Sequence, residues 1–294
     1  IVYSQFLNNA GGIEADVTIT RLTESAYLVV TPAATRLADQ IWLSRNIGDF
    51  NVVITDVTAG EGVLAIMGPS SRKLLQMVSP NSFDNDVNPF GTAQEIEIGM
   101  GLARVHRVTY VGELGWEVYV SSDQAGHIFD TLFDAGQDLD MKLCGMHMMD
   151  SCRIEKAYRH FGHDITCEDH VLEAGLGFAV DTDKPDFIGK RALARQAMEA
   201  GDRKQLVGLK TKNPKQVIPE GAHATLDPDQ PPPVDMLGHV TSSYFSPNLG
   251  HSVAMALLRA GHTRMGQTVY FPMLDGSPPI EATITDTNFY DPKG

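Results

Sequence analysis

At Lys204 the chain changes texture. Beyond it, short apolar runs at 205–210, 238–242, 252–258, 268–271 and 280–285 are separated by glycine and proline, with a proline-rich stretch at 227–234. Runs this short, with turn residues at nearly every join, predict the antiparallel strands of a small barrel or sandwich. Before Lys204 the apolar periodicity switches repeatedly between two and about 3.6 residues, so strands and helices are interleaved. The expected class is α+β with antiparallel sheets, and 294 residues allow two or three domains.

Residues 13–22 alternate cleanly. Ile13, Ala15, Val17 and Ile19 fall on one face, Glu14, Asp16, Thr18 and Thr20 on the other, and the run NNAGG at 8–12 ahead of them is a turn signal. A second strand, 27–31, ends at Pro32, and Ala34, Leu37, Ala38, Ile41 and Trp42 then recur at helical spacing. Residues 51–56 and 63–67 read as strands. Gly68-Pro69-Ser70-Ser71 opens a helix running to Val78, and Ser70 and Ser71 read as caps rather than nucleophiles. Residues 79–92 form a loop. Three further helices are expected: one carrying Ala125, Ile128, Phe129, Leu132 and Phe133 and closed by Gly136, a more buried one at 143–161, and a third at 187–200 stopped at Gly201.

The stretch YVGELGWE at 110–117 joins a strand-forming run at 104–111 to an apolar strand at 116–120. Gly112 and Gly115 bracket a short connection, a hairpin or tight bend. In the second strand Glu117 and Tyr119 face one way, Trp116 and Val118 the other. An ionised carboxylate is costly to bury in such a strand unless it meets donors. Glu117 is therefore either a rim residue facing water or a carboxylate held for a ligand with two parallel N–H donors. Asp16, in the middle of its strand's polar face, either faces solvent or is a working carboxylate. Arg153, in a helix rich in Met and Cys, either pairs with Glu155 or Asp150 or projects into a polar cavity.

Other chemistries find little support. The net charge of −14 speaks against nucleic-acid backbone binding. No apolar run approaches the roughly 20 residues of a membrane-spanning helix. Cys144, Cys152 and Cys167 suggest no disulfide framework and fit a reducing compartment, with Cys152 read as packing. There is no Gly-x-Gly-x-x-Gly after a strand and no Walker A run; the Gly99–Gly101 pair lacks the third glycine and the helix. His160, His163, Cys167 and His170 lie close together, but their spacing fits no common zinc pattern, and no metal is expected. The chain opens at Ile1 without an initiator Met or a secretory signal, so it is expected to be processed or part of something longer.

Several of these stretches resemble one family. YVGELGWE at 110–117 and NNAGGIEAD at 8–16 are similar to motifs of the glycine-cleavage T-protein, an aminomethyltransferase. CRIEKAYRHFGHDITCEDHVLEAGL at 152–176, FIGKRAL at 187–193 and FYDP at 289–292 resemble the C-terminal folate-binding part of sarcosine and dimethylglycine dehydrogenases, and GHVTSSYFSPNLGHSVAMAL at 238–257 resembles the last domain of both groups.

The resemblance implies helices and antiparallel sheets around a central cavity that takes tetrahydrofolate, plus a C-terminal β-barrel. The domains would be 1–57, a strand–helix part lacking its opening segment; 58–200, a folate-binding α+β domain; and 201–294, the barrel. Asp16 matches the family's catalytic aspartate, and Glu117 the glutamate that meets the pterin's amino-pyrimidinone edge. Tyr110 and Arg153 match further pterin-site residues. Phe289 stands where T-proteins place a tyrosine near the folate, with Tyr290 beside it. The implied function is one-carbon transfer forming 5,10-methylenetetrahydrofolate, with the carbon coming from an N-methyl amine or, on a lipoyl carrier protein, as an aminomethyl group. FAD would belong only to a separate flavin domain or subunit. Neither nucleic acid nor membrane is an expected partner, and the expected location is cytoplasmic, or the mitochondrial matrix in a eukaryote. The alternative is a non-catalytic regulatory or assembly subunit of the same fold.

Overall fold

The computed structural model describes residues 1–195 and 201–291. The chain forms two compact units, one of Ile1–Tyr3 with Thr18–Gly145 and the other of Ser4–Val17 with Met146–Gly294. Strands β1 (Val2–Leu7), β2 (Ile13–Arg21) and β3 (Tyr27–Val30) make a three-stranded sheet in that order, and the chain passes from the second unit to the first within β2. The alternation read from 13–22 is present as far as Thr18, with Ile13, Ala15 and Val17 buried and Glu14, Asp16 and Thr18 half-buried; it breaks at the end of the strand, where Ile19 is half-buried and Thr20 buried.

In the first unit, helix α1 (Arg36–Asn46) leaves its apolar residues Leu37 and Ile41 exposed. Its one buried residue is Asp39, whose carboxylate accepts from the Thr35 hydroxyl at 2.7 Å. The strand expected at 51–56 does not form; Val52 and Val53 are exposed, and extended chain without a neighbour has no ladder bonds to hold it.

Strands β4 (Glu61–Met67), β5 (Ala93–Ile98), β6 (Gly101–His106) and β7 (Gly115–Ser121) build an antiparallel sheet in the order β4-β7-β6-β5. Helices α2 (Ser71–Val78) and α3 (Ala125–Gly136) belong to the core of this unit. Leu74 and Leu75 of α2 and Ile128 and Leu132 of α3 cluster with Ile96, Ile98, Val105, Trp116, Val118 and Val120. The expected capping of α2 is absent: Ser70 makes no side-chain cap, and the Ser71 hydroxyl instead donates to the Leu114 carbonyl at 3.0 Å. β6 ends at His106, so the connection to β7 is a longer loop than the tight bend expected around Gly112 and Gly115.

In the second unit, α4 (Met146–Glu155) is shorter than the helix expected at 143–161 and stops just before Ala157, whose φ is 58°. α5 (Lys190–Leu193) lies within the helix expected at 187–200, of which residues 196–200 lie outside the described residues. The remainder is β8 (Lys204–Thr211), β9 (His223–Ala224), β10 (Gly238–Ser246), β11 (His251–Arg259), β12 (Thr268–Phe271) and β13 (Ile280–Thr285). They form an antiparallel sheet ordered β12-β13-β8-β11-β10-β9. Thr225 and Tyr270 exchange backbone hydrogen bonds at 2.9 Å, which brings β12 back beside the β9 end and nearly closes a barrel. One set of inward residues, including Val207, Leu209, Val240, Ala256, Phe271 and Ile284, fills its interior. A second cluster joins Leu206, Val253, Met255 and Leu257 to Ile154 of α4. The class is thus α+β with antiparallel sheets and a C-terminal barrel, as expected from the changes of period. Among the described residues no helix is long and apolar enough to cross a membrane.

Candidate functional site

Of the six side chains singled out from the sequence, Tyr110 and Glu117 belong to the first unit and Asp16, Arg153, Phe289 and Tyr290 to the second. Glu117 projects from β7 on the face opposite the Trp116–Val118 core. It is half-buried, and its Oε2 accepts from the Tyr119 hydroxyl at 2.7 Å. Across the strands, Glu117 stands opposite His106 of β6 and Ala65 of β4, and Tyr119 opposite Arg104 and Val63. The His106 and Tyr119 rings lie 4.2 Å apart, and the Arg104 guanidinium carbon is 5.5 Å from the Tyr119 ring centre. Arg104 Nη2 donates to both Glu61 oxygens at 2.9 and 3.0 Å, and its Nε donates to His106 Nε2 at 3.3 Å. Tyr110 is half-buried in the bend that precedes β7.

This face fixes protonation states. Burial pushes the His106 imidazole down to about 4, helped by the neighbouring Arg104 charge. Burial, and next the Glu117 charge, push the Tyr119 phenol far above its ordinary value, so it remains a donor. The histidine makes the fold acid-sensitive. Between its ordinary value of 6.5 and its folded value of about 4, the unfolded chain carries a proton at this position that the folded chain does not. Its contribution is therefore complete above that window and is lost as the pH falls through it. Going from pH 7.5 to 5 should cost about 2 kcal/mol of unfolding free energy at this residue. Urea unfolding of the parent and of His106→Phe at both pH values measures it: the variant should lose about 2 kcal/mol less on acidification. Equal losses would contradict this account.

In the second unit, Asp16 is half-buried on β2 and accepts from Gln5 Nε2 of β1 at 2.8 Å. Its strand is seated by the turn before it. Asn8 Oδ1 accepts from the backbone N–H groups of Ala10 and Gly12 at 2.9 and 3.0 Å, and Ile13 N–H donates to the Asp169 carbonyl at 3.1 Å. Gly12 bridges to His170 and lies so close to the next segment that a Cβ there would be 2.3 Å from the Cys167 carbonyl oxygen. Two stretches far apart in sequence, 8–16 and 166–170, thus dock backbone against backbone.

Arg153 is 1% exposed. Its guanidinium donates to the Asp164 carboxylate, to Ser242 Oγ at 2.8 Å, to the Tyr158 carbonyl at 3.2 Å and to Asp150 Oδ1 at 3.2 Å. Asp164, also buried, accepts from the Thr241 and Ser242 hydroxyls at 2.6 and 2.5 Å and from the His160 N–H at 2.9 Å. Consecutive residues of a regular strand point to opposite faces; the register shift of β10 between Val240 and Ser242 lets Thr241 and Ser242 reach the same carboxylate. Of the alternatives the sequence left open for Arg153, pairing with Asp150 is realised, joined by the unforeseen Asp164. Glu155 is engaged elsewhere, by Ser246 Oγ at 2.5 Å and Asn248 Nδ2 at 2.9 Å.

The Glu155 carbonyl also accepts the N–H groups of Phe289 and Tyr290, at 2.9 and 3.1 Å. This fastens the end of the chain to α4, with the Phe289 ring packed against the cluster on α4 and the barrel and Tyr290 exposed. His160 and His163 have rings 5.8 Å apart, and His163 Nε2 lies 3.2 Å from Glu220. Among the described residues, no three His, Cys, Asp or Glu side chains gather as metal ligands, and none of the three cysteines forms a disulfide. The residues missed from sequence are Tyr119, His106, Arg104 and Glu61 around Glu117, and Asp164 beneath Arg153. Only Tyr119 had a signal, its shared strand face with Glu117.

Comparison with known proteins gives a consistent result. Residues 1–184 match the family model of the GCVT N-terminal domain, and residues 204–291 that of the glycine cleavage T-protein C-terminal barrel domain. The chain is 37% identical over 295 residues to 4-methylaminobutanoate oxidase (formaldehyde-forming) of Paenarthrobacter nicotinovorans, covering 100% of this chain and 34% of that protein. It is 30% identical over 279 residues to mitochondrial dimethylglycine dehydrogenase of Homo sapiens, covering 94% of this chain and 31% of the other. Among solved structures, the glycine cleavage system aminomethyltransferase T of Bartonella henselae superposes with a TM-score of 0.82 at 25% identity, over 99% of this chain and 76% of that one. The chain therefore spans about a third of the length of the oxidase and the dehydrogenase it matches.

Proposed function

The chain belongs to the glycine cleavage T-protein family, and from that premise we propose that it binds tetrahydrofolate and transfers a one-carbon unit to it, yielding 5,10-methylenetetrahydrofolate. The source of the carbon is an N-methyl amine oxidised by a flavin domain or subunit. The 37% identity to a formaldehyde-forming oxidase supports that source over a lipoyl carrier.

The observation that carries the reading is Glu117. A half-buried carboxylate, fixed by one hydroxyl and carried on a rigid strand, suits an amino-pyrimidinone edge, which offers two parallel N–H donors. Bound tetrahydrofolate supplies two nucleophilic nitrogens beside a confined electrophile. The chain's residues do the rest. Glu117 and Tyr110 hold the pterin, and Phe289 and Tyr290 lie on the segment assigned to the folate. Arg153, matched to the pterin site by the resemblance, is held in place by Asp164 and Asp150. The Asp16 carboxylate, oriented by Gln5, stabilises positive charge or accepts a proton from the attacking amine. Holding the reactants together makes the step effectively unimolecular.

Titration of the chain with tetrahydrofolate tests this. Glu117→Ala should weaken binding by on the order of 1–3 kcal/mol, because the pterin donors lose their acceptor. No binding by the unaltered chain, or binding indifferent to Glu117→Ala, would overturn the proposal.

A further inference from the structure

A glutamate on a strand has three rotatable bonds, and a two-donor ligand edge accepts only one orientation of its carboxylate plane. On this sheet face something sets that plane. The Tyr119 hydroxyl donates to Oε2 of Glu117, two residues back on the same strand and the same face. The tyrosine ring is itself held. The His106 imidazole lies 4.2 Å from it, tilted by 34°, and the Arg104 guanidinium carbon stands 5.5 Å from its centre. Arg104 is fixed in turn by the Glu61 carboxylate of the neighbouring strand and by His106 Nε2. Each member is a partner of the next across β4, β7 and β6, and the phenol at the end of the array has its own proton to give. Ionised carboxylates accept up to about four hydrogen bonds, so one from Tyr119 orients the group without exhausting it.

We infer that Tyr119 is a positioning residue, which through its hydroxyl holds the Glu117 carboxylate in the one plane that accepts two parallel donors. The inference rests on the reading of Glu117 as the pterin contact. Tyr119 touches no reacting atom; it acts by fixing another side chain before the ligand arrives, so that the ordering cost is met on folding rather than on binding.

The test is a double-mutant cycle read as tetrahydrofolate affinity, on the full chain, with Tyr119→Phe, Glu117→Ala and both. Phenylalanine keeps the ring and its contacts with His106 and Arg104, so thermal unfolding should change little. Affinity should fall roughly 5- to 20-fold, the range of one charge-assisted hydrogen bond acting indirectly. In the Glu117→Ala background, Tyr119→Phe should have no further effect. Unchanged affinity in Tyr119→Phe, or losses that add in the double variant, overturns the inference while leaving the Glu117 assignment intact. Indifference to Glu117→Ala removes the assignment and the inference together. Should Tyr119→Phe fail to fold, fluorotyrosine at position 119 keeps the hydroxyl and nearly the same ring size and makes the O–H a stronger donor. Affinity that follows donor strength supports the role, and affinity that ignores it counts against it.

Discussion

Asp16→Asn should slow formation of methylenetetrahydrofolate by roughly 10²-fold or more, the size expected of a positioned acid–base or electrostatic group, with tetrahydrofolate binding nearly intact. The substitution suits this question because it leaves the local structure in place. Asparagine retains an oxygen at the Oδ1 position, where Gln5 donates at 2.8 Å, and Ala15 and Val17 on either side remain in the core. What is lost is the charge. Single-turnover trapping of formaldehyde or an iminium donor, beside a folate titration, separates the two effects. Normal trapping by Asp16→Asn takes this carboxylate out of the mechanism and leaves a folate-binding module without catalysis of this kind. A parallel loss of affinity would instead show that Asp16 binds as well as reacts.

Arg153→Met should destabilise the chain by about 3–5 kcal/mol, the cost of leaving a buried charge without its partner. The Asp164 side chain has 0% exposure, so bulk water does not reach it to replace the lost guanidinium; among the described residues Thr241, Ser242 and the His160 N–H remain as its donors. Arg153→Met/Asp164→Leu removes both charges and should recover part of the loss, which chemical denaturation of the single and double variants reads directly. If Arg153 instead served chiefly as a direct pterin contact, Arg153→Met would lower folate affinity with little loss of stability, and the double variant would recover nothing.

Much of the fold was legible in the sequence because period and turn chemistry are local. The strand at 13–22 and the barrel strands after Lys204 could be read from alternation and from glycine and proline at the joins. What failed depended on partners. The apolar residues at 51–56 have strand propensity but no neighbouring strand. The Met-rich start of the helix expected at 143–161 looks like core, yet Met146 and Met148 are exposed, and the buried side consists of Ser151, Arg153, Ile154 and Glu155. Asp16 and Glu117 were visible as carboxylates on strand faces. Asp164 was not, because its hydroxyl partners lie 77 and 78 residues away, and nothing local marks a carboxylate for burial. The array around Glu117 depends on the register of β6 against β7, which a loop of irregular conformation leaves open to the eye.

Two close approaches described by their distances also bear on how this sequence can drift. At Gly12 a methyl group would collide with the Cys167 carbonyl, and at Gly115 it would lie 2.1 Å from Met67 Sδ and 2.6 Å from the Ile66 carbonyl oxygen. One position lies just before the strand of Asp16, the other two residues before Glu117. Neither carries a side chain that selection could tune, and neither can acquire one without moving a neighbouring backbone. Of the residues between them and the two carboxylates, Ile13, Ala15 and Trp116 are held to apolar side chains by the core and only Glu14 is half-buried, whereas the two glycines are frozen by volume alone. A library built to change which amine or folate the chain accepts has its latitude in the half-buried positions around Asp16 and Glu117, and none at the two glycines that set where those carboxylates stand.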